Sequence, residues 1–198
     1  MDDPALNLLT NLIKYNDFLA GNTAFNPSSY ESIATVNPTG GASTISFTSI
    51  PSTYKHLQIR CISRPNEAGS SGAQYLYLRI NIDAGTNYSR HFLAGEGSTT
   101  VTQGAASQNE IRAGYQMRNG YAANIYAAAV IDILDYTNTN KYKTTRSLGG
   151  FDSNGAGYAA LGSGLWMNTN SINSLTFLCE VGDFVQHTRF SLYGIKGA

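Results

Sequence analysis

A chain of 198 residues, 42% of them hydrophobic, has the length of one ordinary domain and enough apolar material to bury a core without disulfides or metals. Its 13 basic and 13 acidic side chains cancel to a formal net charge of zero, which excludes a strong long-range field for gathering nucleic acid or anionic lipid. Charged residues reach only 13%, about half the usual share of a soluble domain, so the surface is expected to be mostly uncharged and polar.

The first segment differs from everything after it. Asp2 and Asp3 suit a helix N-cap, Pro4 suits the first turn, and Gly21 stands where a C-terminal stop is expected. Ala5, Leu8, Leu12, Tyr15 and Leu19 follow helical spacing, and Leu6, Leu9 and Ile13 widen the same stripe. Residues 1–21 are therefore predicted to form an amphipathic helix that docks or oligomerises through Leu6, Leu8, Leu9, Leu12, Ile13, Tyr15 and Leu19. Burial of that face against the chain's own sandwich is the alternative. Residues 22–29 read as a linker and 30–198 as a β-sandwich domain. No stretch approaches the roughly 20 apolar residues that span a bilayer, and Met1-Asp2-Asp3 lacks the basic flank of a signal peptide. Neither membrane insertion nor export by that route is expected.

From Tyr30 onward the pattern becomes short β-type runs separated by Gly, Pro, Asn and Ser clusters. Strands are predicted at Tyr30 to Val36, Ser43 to Ile50, Tyr54 to Arg64, Ala73 to Ile82, Asn87 to Leu93 and Asn109 to Met117. Five more follow at Ile125 to Tyr136, Tyr142 to Gly149, Tyr158 to Met167, Ser171 to Val181 and Thr188 to Ile195. In the third run Leu57, Ile59 and Cys61 alternate with His56, Gln58 and Arg60; in the fourth Leu76, Leu78, Ile80 and Ile82 alternate with Tyr75, Tyr77, Arg79 and Asn81. Such alternation means one wet and one dry face, and the strand count without a fixed repeat suits a two-sheet antiparallel sandwich or jelly roll. Ala94 to Ala123 reads as a long, weakly patterned functional loop whose middle has room for a strand. The glycine-dense stretch from Gly149 to Gly164 allows close approach between neighbouring strands.

Few residues suggest chemistry. Cys61 and Cys179 show no metal-type spacing and read as small buried hydrophobes, or as a disulfide pair if their strands adjoin. His56, His91 and His187 lack the spacing of a zinc site. Asp132 and Asp135 are expected on opposite faces of one strand, which argues against a paired-carboxylate hydrolase, and Asp152-Ser153-Asn154-Gly155 reads as a turn. No nucleophile elbow, phosphate loop or dinucleotide fingerprint occurs, so neither catalysis nor a cofactor is expected. Thirteen tyrosines and one tryptophan offer stacking surface. Tyr75, Tyr77, Tyr115 and Trp166 are the candidates for a protein interface or a glycan surface, with core packing the alternative for Trp166.

Several segments carry a resemblance when taken in order: Ile50 to Arg60 (IPSTYKHLQIR), Asn87-Tyr88-Ser89, Ser163-Gly164-Leu165-Trp166, Ile172 to Thr176 (INSLT) and the ending Phe190 to Lys196 (FSLYGIK). Together they resemble small β-rich bacteriophage virion proteins, among them capsid decoration or cement proteins and tail-fibre or head-fibre modules. The resemblance runs from about Ser43 to the C-terminus and does not include the leading helix. It implies a non-enzymatic jelly-roll module in the virion, assembled in the host cytoplasm. A homotrimeric decoration protein bound to the phage major capsid protein is the first expectation. A fibre module that meets tail components and a host surface glycan is the second.

Overall fold

Leu76, Leu78 and Ile80 are fully buried while Tyr75, Tyr77 and Arg79 between them are not, because successive side chains on an extended strand point to opposite faces. The computed structural model describes residues 29–67, 72–118 and 120–197. The predicted leading helix, with Leu6, Leu8, Leu9, Leu12, Ile13, Tyr15 and Leu19, lies outside them.

The described residues hold twelve strands and no helix: β1 (Tyr30–Val36), β2 (Thr44–Phe47), β3 (His56–Ser63), β4 (Ala73–Ile80), β5 (Tyr88–Glu96), β6 (Thr99–Gln108), β7 (Ile111–Met117), β8 (Ala127–Ile133), β9 (Lys143–Asp152), β10 (Gly157–Trp166), β11 (Leu175–Cys179) and β12 (Arg189–Ile195). They form an eight-stranded sheet in the order β1-β12-β3-β8-β9-β10-β5-β6 and a four-stranded sheet in the order β2-β11-β4-β7. From β12 to β6 in the large sheet, and throughout the small sheet, neighbouring strands are antiparallel. The described residues form an all-β antiparallel sandwich.

The core lies between the sheets. Leu57, Ile59 and Cys61 of β3, Ile131 and Ile133 of β8, and Phe190 and Leu192 of β12 face Ile45 and Phe47 of β2, the apolar row of β4, and Leu175 and Phe177 of β11. Phe177 joins the two layers, its ring 4.9 Å from Phe190 and 6.4 Å, edge-on, from Phe47. Each such side chain contributes about 1.5–3 kcal/mol through burial. Trp166, at the end of β10, is only 1% exposed. Its indole Nε1 donates to Asp83 Oδ2 at 2.7 Å, and this bond is the main reason the Asp83 carboxyl is held below the usual carboxylate range.

Buried cations fasten the loops. Arg64 Nη1 donates to the carbonyls of Ala122 (2.7 Å) and Ile125 (2.8 Å), and its Nη2 donates to Tyr121 (3.0 Å), which fixes the segment between β7 and β8. Lys143 Nζ donates to the carbonyls of Lys141 and Thr169, replacing water around an ammonium that burial would otherwise penalise.

The structure fills the room left for a strand inside the long loop and shortens the fourth expected strand. Residues 99–108, inside the expected long loop, are strand β6. Its sequence, TTVTQGAASQ, holds no large apolar side chain except Val101, because β6 is an edge strand with little to bury. The expected apolar row of β4 also stops at Ile80. Asn81 and Ile82 turn into the left-handed region (φ 51 and 59°), and Ile82 is 74% exposed. Cys61 and Cys179 stand in different sheets as free thiols, each pushed up to about 12 by burial.

Close approach of the layers depends on a missing side chain. On the inner face of β10, a Cβ at Gly164 would stand 2.4 Å from Ile111 Cγ2 of β7 and 2.7 Å from Thr145 Oγ1. Gly164→Val is therefore expected to destabilise the fold by about 1–3 kcal/mol through overpacking, measured as a lower urea midpoint at unchanged slope. An unchanged midpoint would mean that β7 does not pack there.

Candidate functional site: the outer face of the large sheet

Register carries residues across the large sheet in rows that share a face. One row runs Arg60, Val130, Leu148, Leu161, Leu93 through β3, β8, β9, β10 and β5. The inner face of these strands is the core, so this row points outward. Its four apolar members are 37% to 64% exposed, with Leu148 the most exposed. The next row, Ile62, Ala128, Gly150, Ala159 and Gly95, is also apolar or small, and its Ile62 is likewise exposed. The row on the other side is polar: Gln58, Asp132, Arg146, Ser163 and His91.

The polar flank is internally bonded. Gln58 Nε2 donates to Asp132 Oδ1 at 2.8 Å, Arg60 Nε donates to Gln58 Oε1 at 2.9 Å, and Arg146 Nη2 lies 3.7 Å from Asp132 Oδ2. Shallow troughs lined by Gly149 and Gly150 lie beside Leu148, and a third lies between Leu93, Leu134, Arg146 and Leu161. Strands stand about 4.8 Å apart and same-face residues nearly 7 Å apart, so the apolar part of this face covers roughly 400 Å² once side-chain width is included. A contiguous apolar patch of that size matches the largest patch of an ordinary monomer, which is often functional. It can exclude water from a partner, and its polar border can fix orientation.

The tyrosines singled out in the sequence are mostly folded inward. Tyr115 is 8% exposed and stacks on Tyr158 at 4.9 Å between ring centres and 8° between planes. Tyr75 meets Tyr115, Tyr77 and Phe92, and the Arg112 guanidinium covers its ring at 3.6 Å. Tyr77 has the Arg90 guanidinium over its ring at 5.7 Å. These rings close the far end of the sandwich, where β7 packs against β5 and β10. Of the readings open for Trp166, core packing is the one its position fits. Asp132 and Asp135 serve separate ion-pair networks, Asp135 with Lys55 and Lys141. Among the described residues no three His, Cys, Asp or Glu side chains gather as a metal site.

The outer row was not singled out in the sequence, although a signal exists. Strand β8 reads AAAVIDI, apolar on both faces over most of its length, and β10 carries Ala159 and Leu161 between Tyr158, Ala160 and Gly162. Strands of that kind are covered on both sides. No protein-family model matches the chain, and no curated protein matches it either.

Because Leu148 and Leu161 already lie in water, Leu148→Lys with Leu161→Lys is expected to change folding stability by no more than about 0.5 kcal/mol. The same variant should lose binding of a hydrophobic dye that the unaltered protein shows. A collapse in melting temperature would mean that these side chains support the fold instead.

Proposed function

We propose that this protein is a structural component of a bacteriophage particle, a jelly-roll-like decoration protein that lies on the outer shell and braces neighbouring capsid subunits. The observation that carries the reading furthest is the outward apolar row Val130, Leu148, Leu161 and Leu93, since an exposed row of this kind often serves as an interaction surface. The chain's path suits a jelly-roll-like module, because it passes from one sheet to the other at most of its connections. The virion setting itself rests on the sequence resemblance.

The size of the patch argues for a shell as its occupant. Roughly 400 Å² is about half of the 800 Å² per partner found in a stable isolated pair, so one copy alone would bind weakly. A capsid presents the same surface many times. Copies that are linked to one another attach at high effective concentration, and several weak contacts then act as one strong one. A protein that binds only the assembled shell opposes its dissociation by linkage. The fibre reading loses part of its support, because Trp166 and Tyr115 are buried and Tyr75 is covered by Arg112.

Particles lacking this protein should lose integrity at lower temperature and at low ionic strength, and purified protein added back should restore them. Equal resistance of both particle types would end the bracing role. A few copies per particle instead of hundreds would favour the fibre reading.

A further inference from the structure

Among the described residues the large sheet ends at β6, and three observations single out that edge. First, Thr99–Gln108 is ten residues long and contains no charged residue and no proline, the usual guards of a free strand. Second, the other edges are short, charged or covered. β2 has four residues, β1 carries Glu31 bound to Tyr54 and Lys196, and β7 lies beneath β9 and β10, where Gly164 makes room for Ile111. Third, from Thr99 to Ala105 the strand keeps unbroken register with β5, from Glu96↔Thr99 to Arg90↔Ala105. That leaves a straight seven-residue run of outward main-chain groups. Beyond it Ser107 turns into the left-handed region (φ 54°), and Gln108 Nε2 donates to the Ala106 carbonyl at 2.8 Å, which closes the run.

We propose that Thr99–Ala105 of β6 pairs with the same segment of a second copy, antiparallel and across a two-fold axis perpendicular to the sheet. The chemistry of a bare edge calls for an extended chain as its occupant, because only a strand satisfies a row of alternating N–H and C=O groups. A second copy of β6 fits without conflict. An uncharged strand meets itself with no like charges opposed, and Gly104, Ala105 and the threonines allow close approach. The resulting interface is isologous and closes at two copies. The symmetry is two-fold, where the sequence resemblance implies three-fold.

This pairing has a consequence for the outer face. A two-fold axis perpendicular to a sheet keeps the faces of both copies on the same side. Two rows of Leu93, Leu161, Leu148 and Val130 then flank the axis on one sixteen-stranded surface. The apolar area presented to a partner doubles, and attachment becomes bivalent. The pairing itself does not rest on the virion reading and can fail or hold independently of it.

Thr102 is the middle of the pairing run, so it meets its own copy across the axis, and its side chain is exposed. The full chain should sediment at twice the 21.3 kDa of one chain. Amides of Thr99–Ala105 should exchange more slowly as concentration rises. Thr102→Lys should weaken the dimer at least tenfold, as should Thr102→Glu, and mixing the two variants should restore a heterodimer. Three results would each overturn the proposal: a monomer at every concentration, a trimer in which these amides exchange freely, or a dimer that Thr102→Lys leaves intact. Unchanged β-sheet circular dichroism in the variants separates loss of pairing from loss of fold.

Discussion

Two sheets of unequal width impose the main constraint on this molecule. A four-stranded sheet can cover only part of one face of an eight-stranded sheet, and nothing among the described residues covers the other face. The inner contact is closed well. Phe177 bridges to Phe190, Leu76 and Leu78 face Ile59 and Ile131, and glycines on β10 let β7 of the small sheet approach the large one. At the end where the small sheet runs out, Tyr75, Tyr115, Tyr158 and Phe92 fill the gap with rings, and Arg112 covers them. The outer face has no such closure. Val130, Leu148, Leu161 and Leu93 are held in line by the same ladder that builds the core, so the fold cannot turn them inward without shifting register by one residue and exposing Ala129, Ile131 and their neighbours.

Much of this was legible in the sequence wherever one face is dry and the other wet. The alternation of Leu57, Ile59 and Cys61 and of Leu76, Leu78 and Ile80 marks the core directly, because the period of a strand is two and the buried set is unmistakably apolar. Eleven of the twelve strands carry enough of this signal, or enough turn chemistry at their ends, to be located. Strand β6 does not, since an edge of threonine, glycine and alanine buries too little to show a period. Ile82 misled for the opposite reason. It continues the apolar beat of β4, yet Asn81 turns the backbone out of the strand just before it.

The candidate site was harder to see. Its residues come from three consecutive strands and from β5, and only cross-strand register brings them into a row. Tyrosine content drew the eye first, but a tyrosine is half apolar and is readily used to plug a sandwich, as Tyr115 does against Tyr158. The quieter signal was the apolar character of β8 on both faces. A strand that is dry on its inner side and still carries Ala128 and Val130 on its outer side is suited to being covered twice, once by its own domain and once by a partner.

The central claim is that the outer face of the large sheet is wet in the free protein and dry in its working assembly. Hydroxyl-radical labelling of the purified chain and of intact particles, read out by mass spectrometry at Leu93, Leu148 and Leu161, tests it directly. The account predicts strong labelling of all three in the free chain and protection in the particle, with Ile82, exposed on a turn away from this row, labelled in both. Equal labelling of Leu148 and Leu161 in the two samples would contradict it.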